Sequence, residues 1–268
     1  MPRPSFFLPF AQRSLTLQFA RREVLGRYRG SLLGLGWSFI TPLLMLGVYT
    51  FVFVGVFKAR WPGAEQAGGI EFAMQIFAGL MVFNLFAEVT TRAPRLILEQ
   101  PNLVKKIVFP LEILPWVTVL SGLFHLILSV SVLLIAVAAI KPGALSPTML
   151  ALPLVLLPLL PFLLGIGWLF SALGVFIRDV GQIMNFVVSL SMFLSPVFYS
   201  LESLSEPMRS WMFLNPLTLI IENVRRVLLH TQWPQWEALA LYTVAACLFA
   251  WLAGLFFQAT RKGFADVL

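Results

Sequence analysis

Six long runs of apolar residues, separated by short polar segments, limit what this chain can fold into. A helix rises about 1.5 Å per residue, so about 20 apolar residues reach across the hydrocarbon layer of a bilayer. The runs are continuously apolar rather than alternating, which favours helices over the strands of a membrane barrel. The sequence therefore predicts an all-α, polytopic membrane protein with one six-span transmembrane domain over residues 32–268. The predicted spans are residues 33–57, 72–90, 113–140, 149–176, 183–199 and 236–258.

Basic residues are distributed unevenly between the predicted loops. If the N-terminus is cytoplasmic, 13 of the 19 Lys and Arg residues lie in cytoplasmic segments and six lie outside. Such an excess is typical of the cytoplasmic side of membrane proteins. Residues 1–31 contain no apolar stretch with a cleavage site of the kind that marks a signal peptide. We therefore predict a multi-pass protein with cytoplasmic N- and C-termini, whose net charge of +7 reflects topology rather than nucleic-acid binding.

The segment before the first span, residues 1–31, is predicted to be a cytoplasmic amphipathic helix that lies in the membrane interface. Its helical part covers about residues 14–29, with most of the arginines on one side. An ordinary basic tail next to the first span is the alternative. The apolar side consists of Leu17, Ala20, Val24, Leu25 and Tyr28.

The segment between the fifth and sixth spans is too apolar for an ordinary loop. Within residues 201–232, Asn215 and Pro216 interrupt the helical pattern and leave two pieces too short to cross a bilayer. Such lengths are typical of re-entrant or interfacial helices. The pattern predicts an outer helical hairpin that dips back toward the membrane. Its buried stripe consists of Leu217, Ile220, Ile221, Val224 and Leu228.

The sequence lacks the usual motifs for catalysis. It contains no phosphate-binding loop, no zinc-protease motif and no nucleophile turn. One cysteine and two histidines cannot supply a disulfide framework or a typical zinc site, so we expect no metal and no cofactor in this chain. The sequence thus favours a membrane protein that is not itself an enzyme.

Two ionisable residues lie inside the predicted spans, where such groups usually serve a function. Glu88, near the cytoplasmic end of the second span, either pairs with Arg92 one helical turn away or acts in an inner gate. His125, near the middle of the third span, either forms a hydrogen bond across helices or relays protons. A proton-coupled transporter would normally carry more charge in its spans.

The predicted cytoplasmic loop over residues 92–112 contains the stretch EQPNLVKKIVFP, residues 99–110. Pro101 and Pro110 prevent a helix from continuing through either position, which leaves a short, stiff segment. Its mixture of polar and apolar side chains suits docking into a groove of another protein. The alternative is a solvated loop whose lysines only fix the topology.

The chain also contains five informative stretches: RYRGSLLGLGWSFITPLLMLGVYTFVF, NLVKKIVFPLEILP, LGVFIRDVGQI, LSPVFYSLESL and LNPLTLIIENVRRVLL. Together they resemble the membrane subunit of ABC exporters for lipid-linked polysaccharides, the permeases for O-antigen, teichoic acid and some capsules. The stretches occur in the expected order and cover most of the chain.

That resemblance implies a homodimer in the bacterial inner membrane. Two copies of a cytoplasmic ATPase subunit would bind ATP and Mg and carry out the hydrolysis. The loop segment would be the coupling helix, and residues 201–232 would form the outer gate. The contacts with the ATPase subunit would be Glu99, Pro101, Asn102, Lys105 and Lys106. The outer-gate residues would be Trp211, Asn215, Pro216, Arg225 and Arg226.

The resemblance further implies a substrate, a glycan linked to a polyprenyl pyrophosphate. Guanidinium groups match phosphate oxygens in a fork, so we expect Arg22, Arg27 and Arg29 to bind the pyrophosphate; anionic lipid headgroups and topology are the alternatives. Aromatic rings stack on sugar rings and suit the wall of a channel, although many aromatic residues simply face lipid. The lining candidates are Phe39, Tyr49, Phe53, Phe186, Phe193 and Tyr199.

The expected function is therefore that of the transmembrane subunit of an ATP-driven exporter. It would move a lipid-linked polysaccharide such as O-antigen from the cytoplasm across the inner membrane. The alternatives are a flippase or secondary transporter driven by an ion gradient, and an ABC exporter of drugs or simple lipids. A membrane-embedded glycosyltransferase is less consistent with the sequence, because its chemistry would need more carboxylates in the spans.

Overall fold

The computed structural model of the chain describes residues 12–56, 69–105, 109–140, 143 and 145–267. These residues form helices joined by turns, without a strand among them, which confirms the predicted all-α class. The helices are α1 (Arg13–Arg27), α2 (Trp37–Tyr49), α3 (Gly69–Arg92), α4 (Pro101–Lys105), α5 (Ile113–Ile140), α6 (Leu152–Leu156), α7 (Leu159–Phe176), α8 (Val180–Leu194), α9 (Glu206–Met212), α10 (Pro216–Leu228), α11 (Trp236–Thr260) and α12 (Phe264–Val267).

Five stretches of the described residues are long and apolar enough to cross a membrane. They agree with five of the six predicted spans. The stretches are Gly34–Phe53, Gly69–Arg95, Ile113–Ile140, Pro147–Phe176 and Trp236–Val267.

The predicted fifth span, residues 183–199, differs from the prediction. Helix α8 has 15 residues, which corresponds to about 22 Å and falls short of the hydrocarbon layer. The helix ends because Ser195 takes up an extended conformation in front of Pro196. The Asn215 side chain then fixes this end, since its Nδ2 donates to the Leu194 carbonyl and to Ser195 Oγ, both at 2.9 Å. By length alone, α8 does not qualify as a span.

Helix α3 is the centre of the bundle. Of its 24 residues 16 are buried, because α2, α5, α7, α8 and α10 all pack against it. Within the described residues of α2 and α8, by contrast, burial is confined to Ser38, Val180 and Met184. More than half of the residues in each of these two apolar helices are exposed.

Helix α1 lies close to the predicted range of residues 14–29 and packs along α5. After α1 the chain turns at Gly30, whose φ of 83° is a left-handed conformation that residues with a Cβ adopt at a cost. Leu17 and Leu25, on the predicted apolar side, remain exposed. The buried face of the helix consists of Thr16, Ala20 and Val24.

The turn that follows α3, Ala93–Arg95, packs very tightly against α7. A Cβ on Gly174 would lie 2.1 Å from the carbonyl oxygen of Pro94, so this close approach requires a glycine. The contact fixes the end of α3 relative to α7.

Three separate parts of the chain meet at this end of the bundle. Phe19 of α1 packs on Phe109, with ring centroids 5.3 Å apart. Arg261, directly after α11, donates from Nη2 to the Phe109 carbonyl and from Nη1 to Glu112 Oε2, both at 2.9 Å. The N-terminal helix, the segment before α5 and the C-terminal end of α11 are thereby joined.

Helix α10 packs against the opposite end of α3 and against α6. The predicted stripe on this helix is buried, with every member at most 1% exposed. Its members are Leu217, Ile220, Ile221, Val224 and Leu228. The helical period of the sequence therefore identified the buried face correctly.

Candidate functional site

A connected group of polar side chains links α1, α3 and α5. The group is called the Glu88 cluster below, and it joins the N-terminal helix to two of the candidate spans. Its members are Glu23, Arg27, Tyr28, Glu88, Arg92 and His125.

The Glu88 carboxylate is the centre of this cluster. Its Oε1 forms an ion pair with Nη2 of Arg27 and lies 3.9 Å from Nη1 of Arg92. Its Oε2 lies 3.5 Å from Nδ1 of His125. Arg92 also pairs with Glu23 of α1, so two arginine–glutamate pairs connect α1 with α3. The carboxylate is thus shared among side chains from three helices.

His125 contacts α1 through both ring nitrogens. Its Nε2 lies 3.0 Å from the Tyr28 hydroxyl, and its Nδ1 lies 3.4 Å from Nη1 of Arg27. Burial raises the pKa of Tyr28, which caps the end of α1, so this phenol stays protonated at neutral pH. The contacts agree with the predicted hydrogen bond of His125 across helices; a proton-relay role is a separate hypothesis.

Exposure differs within the Glu88 cluster in a way that matters for binding. The Arg27 side chain is 38% exposed, whereas its partner Glu88 is only 16% exposed. A molecule outside the bundle can therefore reach the guanidinium more easily than the carboxylate. Glu88 nevertheless has cationic neighbours, as expected for a carboxylate within a span.

The sequence predicts Arg92 as a neighbour of Glu88, but it does not predict the contact of Arg27 with Glu88 or that of Tyr28 with His125. Glu88 lies seven residues before the end of its span, about 10 Å, whereas His125 lies 12 residues into α5, about 18 Å. Depth along the helices therefore gave no reason to pair Glu88 with His125. The one available signal was that a carboxylate inside a span needs a cation, and α1 supplies several.

The two other arginines predicted to bind pyrophosphate, Arg22 and Arg29, are exposed. The Arg22 guanidinium lies 4.6 Å from the centroid of the Phe19 ring, a cation–π distance. Phe19 in turn contacts Phe109. The structure thus places the three arginines differently, since Arg27 faces Glu88 while Arg22 and Arg29 remain at the surface.

The predicted coupling segment contains the short helix α4. Four of the predicted contact residues are exposed, and Lys106 lies outside the described residues. Leu103 and Val104 of the same segment are partly buried against the core, so they hold α4 on the bundle. The exposed residues are Glu99, Pro101, Asn102 and Lys105.

A second polar contact, called the Arg225 anchor below, holds the other end of α3. The Arg225 side chain is 1% exposed. Its Nε donates to the Gln75 carbonyl at 3.1 Å, and its Nη2 donates to the Val197 carbonyl at 2.9 Å. Its Nη1 pairs with Glu222 at 2.9 Å. One guanidinium thus joins α10, α3 and the residues that follow α8.

The other predicted outer-gate residues have separate surroundings. Asn215 accepts a hydrogen bond from the Leu217 amide at 2.9 Å and so caps α10, with Pro216 as the first residue of that helix. Arg226 is half-buried and donates to the Trp233 carbonyl at 3.3 Å. Trp211 on α9 is exposed.

The predicted channel-lining residues fall into two groups. Phe39, Phe186 and Phe193 are exposed on α2 and α8. Phe53 packs on Phe72 and Phe198, with centroids 5.4 and 6.2 Å away. The two tyrosines, Tyr49 and Tyr199, are half-buried. The exposed group lies on α2 and α8, which carry several other exposed large apolar side chains.

Metal binding has no support in the part of the chain that the structure describes. No group of three or more His, Cys, Asp or Glu side chains there is arranged to hold a metal ion. The Glu88 cluster instead pairs two glutamates with two arginines.

The sequence has recognisable relatives. Residues 14–229 match the family described as ABC-2 type transporter. The chain is 28% identical over 259 residues, 96% of each chain, to a Myxococcus xanthus protein named O-antigen export system permease protein RfbA. It is 23% identical over 257 residues, 95% of each chain, to a Klebsiella pneumoniae protein of the same name.

Proposed function

Because the chain belongs to the ABC-2 type transporter family, we propose that it is the membrane permease of an ATP-driven exporter. The exporter moves a lipid-linked polysaccharide such as O-antigen from the cytoplasm across the inner membrane. The observation that carries this proposal is the similarity to permeases of O-antigen export over nearly the whole length of both chains.

The energy for transport comes from a partner in this proposal. The chain is a transporter membrane subunit whose sequence contains no phosphate-binding loop, so ATP and Mg are bound by a cytoplasmic ATPase subunit. The exposed polar residues of α4 suit contact with that subunit. Phe109 contacts both Phe19 of α1 and Arg261 after α11. A movement of the coupling segment would therefore be transmitted to α1, to the start of α5 and to the end of α11.

A homodimer provides the channel in this proposal. Helices α2 and α8 expose large apolar side chains, and a two-fold axis beside them would let one surface serve both partners. A single bundle with α3 packed tightly at its centre leaves little room for a hydrated glycan. The exposed Phe39, Phe186 and Phe193 would then line the path of the sugar chain.

We propose six crossings: the five candidate spans and one further crossing made of α8 and the non-helical residues 195–199. Helix α8 packs beside the Ala93–Arg95 turn at one end of α3. The Val197 carbonyl accepts from Arg225, which also contacts Gln75 at the other end of α3. Residues 180–197 thus follow α3 along most of its length, which supports six crossings with both termini in the cytoplasm and residues 201–232 outside.

The test uses inside-out membrane vesicles that contain this chain and its ATPase subunit. Lipid-linked O-polysaccharide added to the outside becomes protected from an added glycosidase once it has crossed. We expect protection that requires hydrolysable ATP and resists a protonophore. Vesicles with the chain alone serve as the control. Transport by the chain alone under a pH or sodium gradient would overturn the proposal in favour of a secondary transporter.

The coupling contact has its own test. We expect Lys105→Glu to lower recovery of the ATPase subunit in a pull-down, because the side chain is exposed on α4. Arg178→Glu, an exposed cation in a different predicted cytoplasmic loop, makes the same change in charge and serves as the matched control. Equal recovery with both variants would show that Lys105 makes no specific contact.

A further inference from the structure

The strongest unexplained feature of the structure is the position of Arg27. The sequence predicts that this residue binds the pyrophosphate of a lipid-linked substrate, yet its guanidinium already pairs with Glu88. A guanidinium binds a carboxylate and a phosphate through the same fork of N–H groups. The two anions therefore compete for one site, and the 38% exposure of Arg27 leaves it open to an anion from outside.

We propose that Glu88 is an internal competitor that occupies Arg27 until the phosphate or pyrophosphate of a lipid headgroup displaces it. The inference rests on the proposed function, because it assumes that such a headgroup reaches the foot of the first span. In the proposed exchange, Arg27 leaves the Glu88 carboxylate and binds the phosphate of the headgroup instead.

The exchange requires a donor that takes the place of Arg27 at the carboxylate, since losing a close partner is costly for a largely buried charge. His125 is placed to supply one. Its Nδ1 lies 3.4 Å from Arg27 and 3.5 Å from Glu88. A guanidinium can only donate, so Nδ1 accepts from Arg27 when it carries no proton and donates to Glu88 when it carries one. The two contacts thus belong to two different states of the cluster.

The second arginine pair keeps the site assembled during this exchange. Arg92 pairs with Glu23, so α1 stays attached to α3 after Arg27 has left Glu88. Arg92 also remains 3.9 Å from the carboxylate as a second cation. Displacement of one side chain therefore leaves the helix packing in place, as a reversible binding site requires.

The test measures the binding of geranylgeranyl pyrophosphate to the permease–ATPase complex in uncharged nanodiscs. We expect Glu88→Gln to bind this probe about two- to fivefold more tightly than wild type, because a partly exposed competing ion pair has been removed. Arg27→Gln should bind it more weakly by a similar factor. If Glu88 had only a structural role, Glu88→Gln would bind the probe more weakly or equally well. The direction of the change in affinity therefore distinguishes the two roles of Glu88.

Glu112→Gln is the matched control. Glu112 pairs with Arg261 at exposures of 13% and 37%, nearly those of Glu88 and Arg27. The control removes the same charge from an equivalent pair, and we expect unchanged binding of the probe. A gain in affinity equal to that of Glu88→Gln would overturn the proposal, because it would reflect net charge alone.

His125→Phe tests whether His125 replaces Arg27 as the donor to the Glu88 carboxylate. We expect weaker probe binding in the wild-type background, where the displaced carboxylate loses its replacement donor. In the Glu88→Gln background the same change should have little effect, since a neutral amide needs no replacement charge. Equal losses in both backgrounds would show that His125 only supports the fold.

Additional ligands distinguish the source of the phosphate. In separate experiments, inorganic pyrophosphate or phosphatidylglycerol in the nanodisc replaces the prenyl probe. If the ligand is a lipid headgroup, inorganic pyrophosphate should bind more weakly than geranylgeranyl pyrophosphate. Absence of probe binding to a complex that still exports glycan overturns this inference alone. Absence of ATP-driven export in the vesicle assay overturns the proposed function instead.

Discussion

At one end of α3 the Glu88 carboxylate is shared among side chains from three helices, whereas near the other end the Arg225 guanidinium bonds to two backbone carbonyls and one side chain. Backbone carbonyls cannot change their charge or rotate away. Side chains can do both. The Arg225 anchor is also almost completely buried, while the Glu88 cluster is partly exposed. The comparison indicates that the polar contacts of α3 are fixed near Gln75 and exchangeable around Glu88, while the turn after α3 stays packed on α7.

The largest effect should follow from Arg225→Ala. It leaves the Gln75 and Val197 carbonyls and the Glu222 carboxylate without this donor, and loss of one member of a buried ion pair costs about 3–5 kcal/mol. We expect little folded protein by size-exclusion chromatography in detergent, and a strongly lowered unfolding midpoint for what remains.

The neighbouring residue provides the control for this prediction. Arg226 is half-buried and donates one hydrogen bond, to the Trp233 carbonyl. Arg226→Ala should therefore shift the unfolding midpoint only slightly. If the two alanine variants unfold at the same temperature, the Arg225 anchor is not the fixed end of α3.

A methyl group added at a glycine in each of the two regions tests how rigidly that region is packed. A Cβ on Gly79 would lie 3.2 Å from the Val197 Cα and 3.1 Å from Nη2 of Arg225. A Cβ on Gly122, beside Glu88, would lie 2.6 Å from Cδ1 of Leu85. A leucine methyl can rotate away, whereas the Val197 backbone is held by the anchor.

We therefore expect Gly79→Ala to cost about 1–3 kcal/mol, and Gly122→Ala to cost less despite its shorter contact. Alanine favours the helix equally at both positions, so this contribution cancels in the comparison. Thermal unfolding of both variants in the same detergent measures the difference. A larger loss for Gly122→Ala would mean that the region around Glu88 is the more rigid one.

The pair between Arg27 and Glu88 should contribute a smaller energy. A double-mutant cycle with Arg27→Gln, Glu88→Gln and the combined variant isolates it. We expect a coupling energy of about 1 kcal/mol or less, because Arg27 is partly exposed and the carboxylate has a second cationic neighbour in Arg92. A coupling energy of several kcal/mol would indicate a fixed contact like the Arg225 anchor. It would contradict the proposed displacement of Glu88 from Arg27.

The contrast between these regions also explains what the sequence could and could not predict. Apolar length and helical period identified the all-α class, five spans and the buried stripe of α10, because burial follows directly from the pattern of side chains. The acceptors of Arg225 are backbone carbonyls, which carry no signal in the sequence. Arg225 was predicted as an outer-gate residue, and that role stays a prediction beside its observed contacts.

Contacts between distant residues limited the other predictions. Helix α8 ends where Asn215, 20 residues further along the chain, bonds to Ser195, so its length is not set by local hydropathy alone. Arg27 and Glu88 are 61 residues apart, and which arginine of α1 reaches Glu88 depends on how that helix packs on α5. The sequence predicted the types of residue in the site but not their pairing.

The smallest effect should follow from Glu23→Gln. It removes the partner of Arg92, but Nη1 of Arg92 also lies 3.9 Å from Glu88 and can move closer to it. Both Glu23 and Arg92 are partly exposed, so we expect a loss of about 0.5 kcal/mol or less in thermal unfolding. The same variant in the Glu88→Gln background removes both carboxylate charges near Arg92, and there the loss should grow. Equal losses in the two backgrounds would mean that Arg92 has no second partner, and the Glu88 cluster would then consist of separate fixed pairs rather than exchangeable ones.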